Sequence, residues 1–102
     1  MNIPLRILGK SDLQVSALGL GCWQFSKQTG LIGKNWPALT DEDTTEIVKA
    51  SINGGINWFD TAEIYGQGKS EQSLSNALKK IGMHPDETII ATKWWPNCRF
   101  AP

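Results

Sequence analysis

Three side chains from separate parts of the chain could together donate a proton: Asp60, Tyr65 and Lys93. Ile56-Asn57-Trp58-Phe59-Asp60 and Ile89-Ile90-Ala91-Thr92-Lys93 are each a short, largely apolar run that stops on a charged residue, with a helical stretch between them. A strand, a helix and a second strand make a right-handed crossover with parallel strands. The carboxyl ends of both strands then share one rim, where Asp60 and Lys93 can meet. Tyr65 falls on the loop leaving the first strand, in Asp60-Thr61-Ala62-Glu63-Ile64-Tyr65-Gly66. Strand parity puts Trp58 with Asp60, and Ala91 with Lys93, on common faces. A carboxylate there keeps the ammonium charged, and an ammonium favours tyrosinate over tyrosine, making the phenol a readier proton donor. A rim salt bridge beside an unrelated surface tyrosine fits the same spacing equally well, so spacing alone leaves both open.

The elements that must position these groups follow in order. Leu5, Ile7, Leu13 and Val15 alternate around Gly9-Lys10-Ser11-Asp12, which predicts a small hairpin. Ala17-Leu18-Gly19-Leu20-Gly21-Cys22 reads as a strand buried on both faces, and residues 23–39 as a long polar loop. Thr40 is expected to cap a first helix, with Asp41, Glu42 and Asp43 in its first turn and Ile47, Val48 and Ile52 on its apolar stripe. Gly54-Gly55 ends it. Residues 56–60 form the next strand. Ser70 is expected to cap a second helix carrying Leu74, Ala77, Leu78 and Ile81 before Gly82, and residues 88–93 form the last strand. The pattern is a hairpin followed by β-α-β-α-β, an α/β arrangement whose parallel sheet needs helices on its faces.

Composition excludes several classes. With ten basic and ten acidic residues the chain has no net charge and no basic stripe for nucleic acid or an anionic membrane. Met1-Asn2-Ile3-Pro4-Leu5-Arg6 has no apolar core of signal-peptide length, and no run could span a bilayer. Cys22 and Cys98 are read as free thiols in a reducing, cytoplasmic setting, and no metal site is expected. Of five tryptophans, Trp23, Trp36, Trp94 and Trp95 fall at strand exits or in the loops beyond, where aromatic walls line pockets. Trp23, Trp94 and Trp95 are the candidates for a substrate pocket, although packing that anchors the loops accounts for each as well. Phe25 and Trp36 could line or cover it.

The run from Asp60 to Gly66, continued by Gly68-Lys69-Ser70-Glu71 and Leu74, closely resembles the signature of the aldo-keto reductases. Gly19-Leu20-Gly21-Cys22-Trp23 and Ala91-Thr92-Lys93 resemble it too, in the right order along nearly the whole chain. The resemblance implies a TIM (β/α)8 barrel with a hairpin closing its bottom, and an oxidoreductase that uses NADPH to reduce aldehydes and ketones. It implies Tyr65 as general acid, Lys93 as the partner that makes it acidic, and Asp60 as the residue orienting Lys93. Gly21 and Trp23 would lie near nicotinamide and substrate. The family's fourth catalytic residue, a histidine at the end of the next strand, would fall beyond Pro102. His84 precedes the last strand, at the opposite end, and is read as a surface-loop residue. Residues 1–102 are therefore expected to be a single segment, about the first third of a barrel that takes roughly 250 residues.

Three other motif matches fail on mechanism. Tyr65-Gly66-Gln67-Gly68-Lys69 matches a tyrosine-x-x-x-lysine pair that works only on a helix, and its two glycines oppose one. Gly68-Lys69-Ser70 lacks the first glycine of a P-loop, because Glu63 stands there. Gly19-x-Gly21 has Gln24 in place of the third glycine of a dinucleotide fingerprint. Cys22 reads as a packed side chain, since no histidine is placed to activate it. Two further readings stand beside the reductase: a catalytically inactive fragment, and a cofactor-binding regulatory subunit on the same fold. A three-stranded parallel piece leaves a sheet edge open, so the segment alone is expected to associate and to be inactive.

Overall fold

The computed structural model describes residues 4–28 and 37–94. The hairpin forms as expected, with β1 (Leu5–Ile7) antiparallel to β2 (Gln14–Ser16) and Gly9 at φ +56° in the turn. It is a two-stranded sheet of its own, docked by Asn57 to the chain just before Trp58. The Asn57 side chain accepts from the Ser16 amide at 2.8 Å and donates to the Gln14 carbonyl at 2.9 Å, while its amide donates to the Ser16 hydroxyl. The Trp58 indole also donates to the Ser16 carbonyl at 2.9 Å.

The second sheet has the order β3-β4-β5, all parallel: β3 (Leu20–Gly21), β4 (Trp58–Asp60) and β5 (Ile89–Ala91). These strands are shorter than the apolar runs suggested. Ala17 and Leu18 do not join β3, because the Ser16 hydroxyl donates to the Leu18 carbonyl and bends the chain, leaving Leu18 exposed. Gly19 instead lies under the Trp58 ring, where any Cβ would collide with the indole.

Helix α1 (Asp41–Asn53) begins in a capping box in which Thr40 accepts from the Asp43 amide and Asp43 from the Thr40 amide. Val48 is buried on the predicted stripe and Ile52 half-buried, whereas Ile47 faces solvent. Helix α2 (Lys69–Ile81) starts one residue before Ser70. Gly68, at φ +89°, takes the cap position, and the Ser70 hydroxyl turns inward.

Register places Leu20, Phe59 and Ile90 on one face of the sheet, and Gly21, Asp60 and Ala91 on the other. The core lies between the first of these faces and the helices, built from Cys22, Phe25, Val48, Phe59, Leu74, Ala77 and Leu78. Phe25, read from sequence as a loop residue over a pocket, is 2% exposed within this core. It is carried there by a 3-10 turn over Trp23–Ser26, so the start of the expected polar loop is ordered and partly buried. Lys27 ties this turn to α1 by donating to the Leu39 carbonyl at 2.6 Å and to Asp41 at 2.8 Å. That contact holds the Asp41 carboxyl below its ordinary range. Trp36, Trp95 and Cys98 lie outside the described residues.

Candidate active site

The three parallel strands end together. The Cys22 amide donates to the Asp60 carbonyl, the Thr61 amide to the Ala91 carbonyl, and the Glu63 amide to the Lys93 carbonyl, at 2.9, 2.8 and 3.1 Å. The ladder therefore continues past the formal strands and fixes the backbone that carries Asp60 and Lys93. Across this rim the Lys93 ammonium donates to Asp60 Oδ1 at 2.9 Å and to the Thr61 carbonyl at 2.8 Å. Both side chains are about half exposed, so the pair contributes little stability. The hydrogen bond to Asp60 is the chief cause that raises the Lys93 pKa above its ordinary 10.5; burial opposes it, while the Asp60 charge and Tyr65 add to it.

Tyr65 is half-buried, with the Lys93 ammonium 5.3 Å from its ring centre. It also stacks on Trp23, at 6.1 Å between centroids with 24° between the planes. Gly66 makes that approach possible. It sits at φ +74° against the Ser26 backbone, where a Cβ would overlap main-chain atoms. The loop after β4 thus rests directly on the turn after β3, and Tyr65 meets Trp23.

Behind the rim lies a buried hydroxyl pair that sequence reading missed. Ser70 Oγ donates to the Cys22 carbonyl at 2.5 Å, which uses its only proton. Thr61 Oγ1, 2.8 Å away, must then donate to Ser70 Oγ. Both residues are fully buried, and together they join the ends of β3 and β4 to α2. A capping rule reads only local sequence, so a serine one residue inside a helix gave no signal of this long-range bond. At the same rim Thr92 donates to Glu71 at 2.9 Å, bracing the residue before Lys93.

The remaining candidates divide. Gly21 lies at the exit of β3, paired in register with Asp60, with no atom of the described residues within 4 Å of where a Cβ would stand. Trp94 is 77% exposed and packs into no pocket wall among the described residues. Cys22 is buried, and that burial, with the Asp60 charge, pushes its thiol up to about 12, an inert group as expected. His84 caps the 3-10 turn Pro85–Glu87 that leads into β5, at the end of the sheet opposite the rim.

The family model "Aldo/keto reductase family" matches residues 17–100. A Schizosaccharomyces pombe protein, named as a candidate voltage-gated potassium channel subunit beta, is 40% identical over 92 residues, covering 90% of this chain and 24% of its own length. Among solved structures, the holo form of an aldo-keto reductase from Bacillus halodurans matches with TM-score 0.69 and 34% identity, over 89% of this chain and 26% of that one. A thermostable aldo-keto reductase bound to the inhibitor epalrestat matches with TM-score 0.72 and 31% identity, over 92% of this chain and 32% of that one. The chain thus spans about a quarter to a third of the length of these relatives, and its three-stranded sheet is the corresponding part of their α/β barrel, not a closed one. Because the match runs through both rim loops and the strands and helices between them, the chain belongs to the aldo/keto reductase family.

Proposed function

We propose that these residues form the proton-donating part of a nicotinamide-dependent carbonyl reductase, acting on an aldehyde or ketone. The observation that carries this reading is the Lys93 ammonium, held by Asp60 and poised beside the Tyr65 ring. Tyr65 donates its phenolic proton to the carbonyl oxygen as that oxygen gains charge. Lys93 stabilises the tyrosinate left behind, and Asp60 keeps Lys93 charged and aimed. Gly21 and Trp23 would lie beside the nicotinamide, Gly21 because no described atom crowds its Cβ position and Trp23 because it stacks on Tyr65. When bound, that cofactor, NADPH by family resemblance, supplies the hydride. Residues 1–102 would act as a single segment of the barrel, and the free Cys22 thiol fits a cytoplasmic setting.

A chimera tests the reading. This chain replaces the matching stretch of the Bacillus halodurans reductase, and NADPH oxidation is followed with a reactive aldehyde. Turnover is expected, and Tyr65→Phe should lower kcat by at least about a hundredfold with cofactor affinity nearly unchanged. Equal turnover by the Tyr65→Phe chimera rejects Tyr65 as the acid. The likeness to the Schizosaccharomyces pombe protein favours a second reading, a cofactor-binding regulatory subunit. A chimera that binds NADPH without oxidising it in the presence of aldehyde would select that reading.

A further inference from the structure

We propose that Thr61 and Ser70 are positioning residues for Lys93, acting from behind the sheet through the Thr61 carbonyl. The catalytic consequence rests on the function proposed above; the positioning itself does not. The Lys93 ammonium donates at nearly equal distance to Asp60 Oδ1 and to the Thr61 carbonyl oxygen, with the Tyr65 side chain as a further partner. Asp60 is half exposed and free to trade its contact for water, whereas Thr61 is 0% exposed. Every polar group of Thr61 is engaged. Its amide donates to the Ala91 carbonyl, its hydroxyl to Ser70, and its carbonyl accepts from Lys93. Ser70 passes the constraint on to the Cys22 carbonyl, so the Thr61 peptide is fixed from three elements at once. The ammonium is thereby aimed toward Tyr65 by a rigid, desolvated acceptor as well as by the exposed carboxylate, which also keeps it charged.

Acetylation by acetic anhydride reads the state of each lysine, because only the uncharged amine attacks; mass spectrometry of the full chain at high dilution gives the rates across a pH series. Exposed Lys10, Lys49 and Lys79 serve as internal references. In the wild-type chain Lys93 should react more slowly than these references. Thr61→Val, which keeps shape and loses the hydroxyl, and Ser70→Ala should each speed Lys93 labelling by about threefold or more, half a pH unit of protection. Thr61→Ser, which keeps the hydroxyl, should restore the wild-type rate. Native circular dichroism with Lys93 labelling unchanged in Thr61→Val and Ser70→Ala would overturn the proposal. Should both variants fail to fold, Asp60→Ala decides. With the carboxylate gone, the Thr61 carbonyl should still protect Lys93 in part, and complete loss of protection there refutes the role assigned to it. None of these readings depends on turnover, so their failure leaves the proposed reductase standing, and an inactive chimera leaves them intact.

Discussion

At φ +74°, Gly66 holds a conformation that side chains rarely adopt, and it does so pressed against the Ser26 backbone. Gly82 shares the positive φ, at +89°, but a Cβ there would meet nothing. Comparing the two separates conformational strain from collision. Gly82→Ala is expected to cost about 1 kcal/mol, and Gly66→Ala at least about 2 kcal/mol more, by urea unfolding. If the two cost the same, the loop after β4 is not seated on the Trp23 turn as described. Cys22 gives a second prediction at this scale. Its thiol rises from an ordinary 9.0 to about 12, chiefly by burial, so the folded chain keeps a proton that the unfolded chain releases. Its contribution to stability is whole below pH 9 and drains away as pH climbs toward 12. The chain should lose stability across that window, and Cys22→Ala should flatten the decline. Maleimide should leave Cys22 unlabelled at pH 8 unless urea is added; rapid labelling of the native chain would contradict the burial.

Elements that local rules govern were legible in the sequence. The hairpin followed from alternation around a glycine turn, and α1 from Thr40 with acids behind it. Thr40→Ala removes one side of the capping box and should cost about 1 kcal/mol, read as a lower urea midpoint with an unchanged slope. A loss under a few tenths would mean the box is not formed in solution. Where tertiary contacts overrule local ones, the reading failed. Phe25 looked like a loop residue because nothing nearby in sequence marks the core it enters from a 3-10 turn. Ser70 looked like a cap because its bonding partners, Thr61 and Cys22, are remote. Leu18 looked like strand because the Ser16 hydroxyl that bends the chain leaves no pattern in hydropathy. The rim trio was legible for a different reason: parallel crossovers put strand exits on one side whatever the loops do, so two strand ends and one loop sufficed to bring Asp60, Lys93 and Tyr65 together.

For the whole molecule, the deciding feature is that β4 is the one strand of the parallel sheet flanked on both sides among the described residues. Among the described residues no further strand pairs with the outer edges of β3 and β5, and such edges offer backbone to another chain. The β5 edge is the more inviting, since Ile90 is 47% exposed and borders a groove shared with Leu78, Met83 and Pro85. Association through this edge would pair backbone and cover apolar surface in one step. Sedimentation of a dilution series should therefore show self-association at micromolar concentration. Ile90→Lys should weaken it by roughly tenfold, about 1.4 kcal/mol, because a charge on an edge strand resists burial, while in the single chain the stem can lie along the groove and let the ammonium reach water. The core should survive, because Phe59, the register partner of Ile90, stays buried against α1 and α2. A wild-type chain that stays monomeric throughout the series would show that the edge is shielded from other chains. Equal association by the lysine variant would move the contact to another surface, with the exposed apolar residues of the hairpin, Leu5, Ile7 and Leu8, the next to substitute.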